Sequence, residues 1–298
     1  MHLGLGELLA LCSAATWALG VILYRRLGAT LAPLTLNFLK NGIVLGVLLP
    51  ITMIVYLHAI PKLSLAETSL ALVSGVLGIG IADTLYFSAL NAVGAGRMGI
   101  IGNFYSPFVL GLSFVWLGER LNGVQWIGFA LVLCGVLVVA RPAGGWRHLD
   151  NKAQRRGALL GVAAVLLMAT AIVMVKPVLE RQPLLWVTVM RMLGGLLGMV
   201  LIAALRGELR KLLPARKQHI HWPTLWVAAL VGQCLSMLLW LGGYKYAKAS
   251  VAAVLNETAS VFILLFAALW LHEPLTRRGA VGVTLTMAGV ACMLTQRI

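Results

Sequence analysis

The residues able to do chemistry in this chain are few, and they stand in an apolar background. Glu257 lies in Leu255-Asn256-Glu257-Thr258, in the middle of a long apolar run, and Asp83, Lys40 and Arg191 are embedded in three others. A charge at the centre of a bilayer costs about 2.5–3.5 kcal/mol on insertion scales, so such residues are the best clues to function. Withdrawing a carboxylate from water favours its protonated form, which suits Glu257 to carrying a proton; its bland alternative is a structural hydrogen bond or ion pair. Ser260 follows three residues after Glu257, and Ser106 three after Asn103, so each helix would carry a polar pair on one face. Two roles are open to Asp83, which precedes Tyr86 and Phe87: lining a cavity, or tying its helix end to Arg97.

The cations offer a similar choice. Lys40 and Arg191 are suited to holding a substrate carboxylate or phosphate, or to pairing with Glu257 or Asp83. Each sits only a few residues from the start of its apolar run, which favours snorkelling to the headgroups. Lys176 and Lys245 stand near run ends and are expected to be anchors. Tyr86 and Trp240 are candidates for an apolar wall around a substrate, or ordinary packing and interface aromatics. Enzyme motifs are missing: His272-Glu273 is followed by Thr276 where a zincin needs its second His, and there is no P-loop to drive an ATP pump. Cys12, Cys134, Cys234 and Cys292 lie in apolar runs without a CxxC, and the six histidines show no metal-ligand spacing. The expectation is therefore a non-enzyme with no metal.

The elements that hold these residues follow from composition. The 298 residues are 60% hydrophobic and 11% charged, with mean hydropathy +0.94, too little charge to coat a soluble globule. Charge, Pro and Gly punctuate the chain into ten apolar runs: 5–24, 34–57, 67–90, 94–117, 123–140, 157–179, 185–205, 223–246, 249–271 and 278–296. At about 20 residues per helical span, these predict an all-α integral membrane protein with ten transmembrane helices. The net charge of +15 lies mostly in short loops, where it sets topology against anionic lipid; nothing supports nucleic-acid binding.

The two halves match each other. Shifting the chain by 154 positions puts Trp116-Leu117-x-Glu119-x-Leu121 on Trp270-Leu271-x-Glu273-x-Leu275, Ser106 on Ser260, Gly128 on Gly282 and Gly135 on Gly289. Asn103 falls on Glu257, Tyr86 on Trp240, and Pro107 on Val261; Lys40 and Arg191 agree to within one position. Five spans per half force the second half to cross the membrane in the opposite sense, an inverted repeat with a site near the midplane. The expected organisation is 1–141 as one five-helix repeat, 142–156 as a basic linker and 157–298 as the second repeat. Pro107 is expected to kink the fourth span and could gate it. Gly42-xxx-Gly46, Gly157-xxx-Gly161 and Gly194-xxx-Gly198 are expected to let helices approach closely. Glu119 and Glu273 are read as structural, each placed to favour the next helix's dipole.

The block Ser106-Pro107-Phe108 … Trp116-Leu117-Gly118-Glu119-Arg120-Leu121 … Gly128 … Gly135, recurring as Leu271-His272-Glu273-Pro274-Leu275 … Gly282 … Gly289, resembles the EamA-type branch of the drug/metabolite transporter superfamily. The resemblance covers essentially the whole chain. It implies a ten-span carrier that works by alternating access, without a prosthetic group, and that exports a small metabolite such as an amino acid. Proton exchange is the expected coupling, and the partners are the small-molecule substrate, membrane lipids and protons. The protein is expected to act as a monomer or homodimer in a bacterial inner membrane. A flippase for lipids or lipid-linked groups is an alternative on the same fold; a non-transporting scaffold or receptor is one of another class. Positive charge gathers around Arg25–Arg26, Arg141–Arg156, Arg206–Lys217 and Arg277–Arg278, which places both termini outside, whereas the family resemblance implies termini inside.

Overall fold

The computed structural model describes residues 4–28, 30–93, 98, 101–140, 152–214, 220–270 and 277–294, and among these the protein is helical with no strand. The helices are α1 Leu5–Leu27, α2 Pro33–Val55, α3 Leu65–Val93, α4 Tyr105–Leu117, α5 Gly123–Ala140, α6 Lys152–Arg181, α7 Leu184–Leu205, α8 Trp222–Tyr246, α9 Ala249–Asn256, α10 Ala259–Trp270 and α11 Arg277–Met293. Six segments, in α1, α2, α3, α6, α7 and α8, are long and apolar enough to cross a bilayer, and shorter apolar helices lie within 105–117, 123–138, 249–262 and 280–293. These helices fall on the apolar runs read from the sequence, with departures: α6 begins at Lys152, inside the expected linker, and the runs 94–117 and 249–271 are interrupted at 103–104 and 257–258; residues 141–151 of the linker lie outside the described residues.

Apolar burial provides little drive between helices in lipid, so close backbone approach must do the work. Gly6, Ala10, Ala14, Ala18 and Gly20 provide a small-residue face on α1. A Cβ on Gly20 would come within 2.6 Å of the Gly232 Cα, and one on Gly243 within 3.2 Å of Ala10. α1 therefore packs along α8, while α6 packs along α3. At the α5–α11 contact, a Cβ on Gly128 would meet the Gly289 carbonyl oxygen at 2.8 Å, and one on Gly135 would meet that of Gly282 at 2.6 Å. Position 128 corresponds to 282 in the sequence repeat and 135 to 289, so equivalent positions are cross-matched, as across a twofold axis.

The glycine pairs are not all used in this way. Gly194 and Gly198 press on Leu72 and Val76, and Gly157 and Gly161 on Ala92 and Met98. Gly42 and Gly46 have nothing within 4 Å of an added Cβ. They open instead on an apolar hollow of about 440 Å³ lined by Phe38, Leu39, Ile43, Val47 and Trp226. The expected close helix approach at Gly42-xxx-Gly46 is thus corrected.

Two helices change their winding at equivalent places. α3 is π-helical over Val76–Ala82 and α8 over Ala228–Leu235. Gly78 and Gly232, equivalent in the repeat, sit in the two stretches. A π-turn displaces backbone carbonyls from the ordinary ladder and recurs at functional sites. Side chains from other helices serve these carbonyls: Asn37 Nδ2 donates to Ile79 O at 2.7 Å and Tyr24 Oη to Ala228 O at 2.8 Å.

Candidate functional site

The first polar centre is built on α2. Asn37, Lys40 and Asn41 share one face of that helix and are fully buried. Lys40 Nζ donates to Asp83 Oδ2 at 2.7 Å, just past the π-helical stretch of α3, and to Gln233 Oε1 at 2.9 Å, inside that of α8. Gln233 Nε2 continues to Asn41 Oδ1 at 3.1 Å, and Asn41 Nδ2 to Asn37 Oδ1 at 2.8 Å. Tyr24 and Phe87 place their rings 5.5 and 5.2 Å from the ammonium. One carboxylate, one amide oxygen and two aromatic faces compensate the buried cation, so this centre joins both halves of the chain through satisfied groups.

The second centre surrounds Arg191 on α7, which is 2% exposed. Its Nη1 donates to Ser74 Oγ at 2.5 Å, and the Ser74 hydroxyl donates in turn to Ala171 O at 2.7 Å. The Trp240 ring lies 5.7 Å from the guanidinium carbon. Trp240 meets Tyr244 edge-on at 5.1 Å, and the Tyr244 and Tyr105 hydroxyls are 2.7 Å apart. Beside Tyr105, the Ser106 backbone N–H donates to Glu257 Oε1 at 3.2 Å. Contacts thus run from Arg191 through Trp240, Tyr244 and Tyr105 to Glu257, without an ion pair between the two ends.

Broken helices explain how Glu257 reaches Ser106. The chain leaves helical winding at Asn103–Phe104 ahead of α4 and at Glu257–Thr258 between α9 and α10. These interruptions are equivalent in the repeat, and the first leaves backbone N–H groups of the turn that follows without a ladder partner. Glu257 answers one of them from the other half, where a carboxylate also complements the N-terminal dipole of α4.

One face of the molecule is tied by further bonds between helix ends. Glu119 accepts from the backbone N–H groups of Ala249 and Ser250, at 2.8 and 2.9 Å, and from Ser250 Oγ at 2.7 Å. Lys176 on α6 donates to the carbonyls of Tyr244, in the last turn of α8, and Ala247, just past it, while Lys245 on α8 donates to those of Leu179 and Gln182 at the end of α6. Each lysine caps the helix that carries the other. Gln182 also bonds Glu67 at 3.2 Å.

Comparison with known proteins agrees with this architecture. The model of the EamA-like transporter family matches residues 4–141 and again 155–295. The chain belongs to the EamA-like transporter family. A protein of Bacillus subtilis (strain 168) described as the uncharacterized transporter YvbV is 27% identical over 250 residues, which cover 82% of this chain and 77% of that protein. A solved structure described as a crystal structure of a protein superposes with TM-score 0.77 and 18% identity over 97% of this chain and 96% of the other, a likeness of fold.

Within this EamA-like chain, the structure redistributes the residues singled out from sequence. Asp83 pairs with Lys40; Arg97 lies outside the described residues. Snorkelling is corrected for both Lys40 and Arg191, because each is turned inward to polar partners. That removes the headgroup-depth argument for a lipid flippase. Lys176 and Lys245 are helix caps rather than membrane anchors. Glu119 sits at a helix N-terminus as expected, but at that of α9 in the other half rather than at the next helix; Glu273 lies outside the described residues. Pro107 does not kink a helix interior. It stands in the first turn of α4, where its missing N–H costs no ladder bond, and the interruption precedes it. Tyr86 packs on Phe87 beside the Lys40 centre and Trp240 on Tyr244 beside Arg191, so the equivalent aromatics serve different cations. Asn103 is buried at the break before α4, and the Ser260 N–H closes the turn onto Glu257 O at 3.2 Å.

Sequence reasoning missed Tyr24, Asn37, Asn41, Ser74, Tyr105, Gln233 and Tyr244. The polar stripe Asn37-Lys40-Asn41 was visible at helical spacing in an apolar run, and Gln233 stood out by polarity. Nothing in the sequence marked Ser74, or either tyrosine of the Tyr105–Tyr244 pair, as a partner.

Proposed function

We propose that this EamA-like protein is a secondary carrier that exports a small metabolite, such as an amino acid, by alternating access in the inner membrane of a bacterium. In this reading it has ten spans in two inverted five-helix repeats, 1–141 and 157–298, joined by 142–156. The carrying observation is the cross-matched packing of equivalent positions, Gly128 on Gly289 and Gly135 on Gly282, which supports two halves able to rock about one axis. The bonds of Glu119, Lys176, Lys245 and Gln182 support a state closed on the face where α4, α6 and α8 end. Between the halves, Glu257 supplies a carboxylate for proton exchange.

The test begins with an unbiased comparison of metabolites released by cells with and without the protein. Efflux of the solutes found is then followed in proteoliposomes under an imposed pH gradient. The expected result is pH-dependent efflux that Glu257→Gln slows greatly while the protein stays folded. Unchanged pH dependence would remove Glu257 from coupling, and efflux absent for every solute would overturn the carrier reading.

A further inference from the structure

Arg191 differs from every other buried cation described. Lys40 has Asp83, and Lys176 has Glu180 with two carbonyls. Among the described residues, Arg191 has no carboxylate within ion-pair distance, and its side chain makes one hydrogen bond, through Nη1 to Ser74. Its Nε is buried with no partner. The consequence lies in the shape of the guanidinium. Nη1 is on the side of the side-chain stem, so the N–H groups of Nε and Nη2 point together along the opposite edge. That two-donor edge matches the two oxygens of a carboxylate or phosphate, and it is the edge left over. Leaving an arginine charge buried and uncompensated at membrane depth is costly, and ordinary structural roles remove the cost with a carboxylate, as at Lys40.

The surroundings fit an organic anion. Trp240 covers the guanidinium, and the half-buried Tyr105 ring beside it adds apolar surface. On the other side stands Gly78, in the π-helical stretch of α3, where an added Cβ would lie 3.5 Å from Nη2. The edge is thus flanked by a segment whose winding departs from the ordinary helix, and re-winding it would change access to the arginine.

We propose that the Nε–Nη2 edge of Arg191 is an oxyanion-binding site, and that the transported molecule is an organic acid whose carboxylate or phosphate pairs with it. This assignment of substrate class rests on the carrier reading above. A phosphate could come from a soluble metabolite or from a lipid headgroup, and the chemistry at the edge is the same.

The test uses the purified full-length chain in phosphatidylcholine nanodiscs, heated with benzoate, phenyl phosphate or uncharged benzyl alcohol at matched concentrations. Arg191→Gln, Arg191→Lys and Lys211→Gln, a change at an exposed position of the short 3-10 helix Leu209–Leu212, are heated alongside. Both acids are expected to raise the unfolding temperature of the wild type and of Lys211→Gln by a few degrees, with no rise from benzyl alcohol. Arg191→Gln should lose the response. If that variant does not fold, Arg191→Lys decides, since lysine keeps the charge without the two-donor edge and should lose most of the response. No rise in the wild type, or an equal rise in Arg191→Lys, overturns the site. In discs containing phosphatidylglycerol, Arg191-dependent stabilisation that abolishes the response to acids supports the oxyanion site and assigns its anion to a lipid headgroup. Acids that bind through Arg191 while no solute crosses proteoliposomes would defeat the carrier reading and leave the site standing. Efflux confined to uncharged solutes would defeat the assigned substrate class and leave the carrier reading standing.

Discussion

At the scale of residues, the buried cations described separate into Lys40 and Lys176, which meet a carboxylate, and Arg191, which has none within ion-pair distance. Lys40 is compensated by Asp83 and Gln233, with the ammonium fully buried and the Asp83 carboxylate largely so. Removing one member of such a pair strands the other. Lys40→Met is expected to destabilise the protein by about 3–5 kcal/mol. The double change Lys40→Met with Asp83→Leu should recover much of that loss, because two apolar groups leave no stranded charge. Thermal unfolding of the three proteins in detergent measures both effects, and a double variant no more stable than the single would contradict the argument. Glu119 acts at the surface end of a helix, where three donors from α9 converge on its carboxylate. Glu119→Ala should cost about 1–2 kcal/mol in the same measurement, the range of a lost helix cap.

At the scale of elements, whether a glycine matters depends on what faces it. Gly128 and Gly289 let α5 and α11 touch backbone to backbone, and an added Cβ on either would meet main-chain atoms that cannot turn aside. Gly128→Val is expected to cost about 1–3 kcal/mol or more and to loosen that helix pair. Gly42→Ala has open space before it and sits within α2, so it should be neutral or stabilising by about 0.5–1 kcal/mol. Unfolding temperatures of the two variants side by side check the contrast; a harmful Gly42→Ala would mean that another chain or lipid packs there. The same logic explains α9, whose residues Ala249–Leu255 are all buried: small and apolar on every side, it can lie in the centre of the bundle.

At the scale of the whole molecule, the bonds among helix ends gather the regions around Glu67, Glu119, Gln182 and Lys245–Ala249 on one face. In the ten-span reading proposed above, these are the loops that alternate crossing places together with the termini, opposite the strongly basic loops. On that reading, charge asymmetry predicts that this bonded face lies outside the cytoplasm. Alkaline phosphatase fused after Ile298 is expected to be active, and a fluorescent protein fused there from the cytoplasmic side dark. The reverse pattern would place the termini inside and give the basic loops another role.

The sequence by itself determined the helical class and the repeat, because each is written in local composition or in like residues at a fixed offset. It also marked Glu257, Asp83, Lys40 and Arg191, since a charge inside an apolar run is conspicuous at any single position. Partners were another matter. Lys40 and Arg191 occupy nearly equivalent places, and only the packed bundle decided that one meets Asp83 while the other meets a serine and a tryptophan. The two π-helical stretches and the breaks at Asn103 and Glu257 left no mark in the apolar pattern, because winding within a run responds to the helices packed against it. Tertiary structure therefore decided which charges are neutralised, since pairing depends on which helices cross: Lys40 meets Asp83, 43 positions on, and Gln233, 193 positions on.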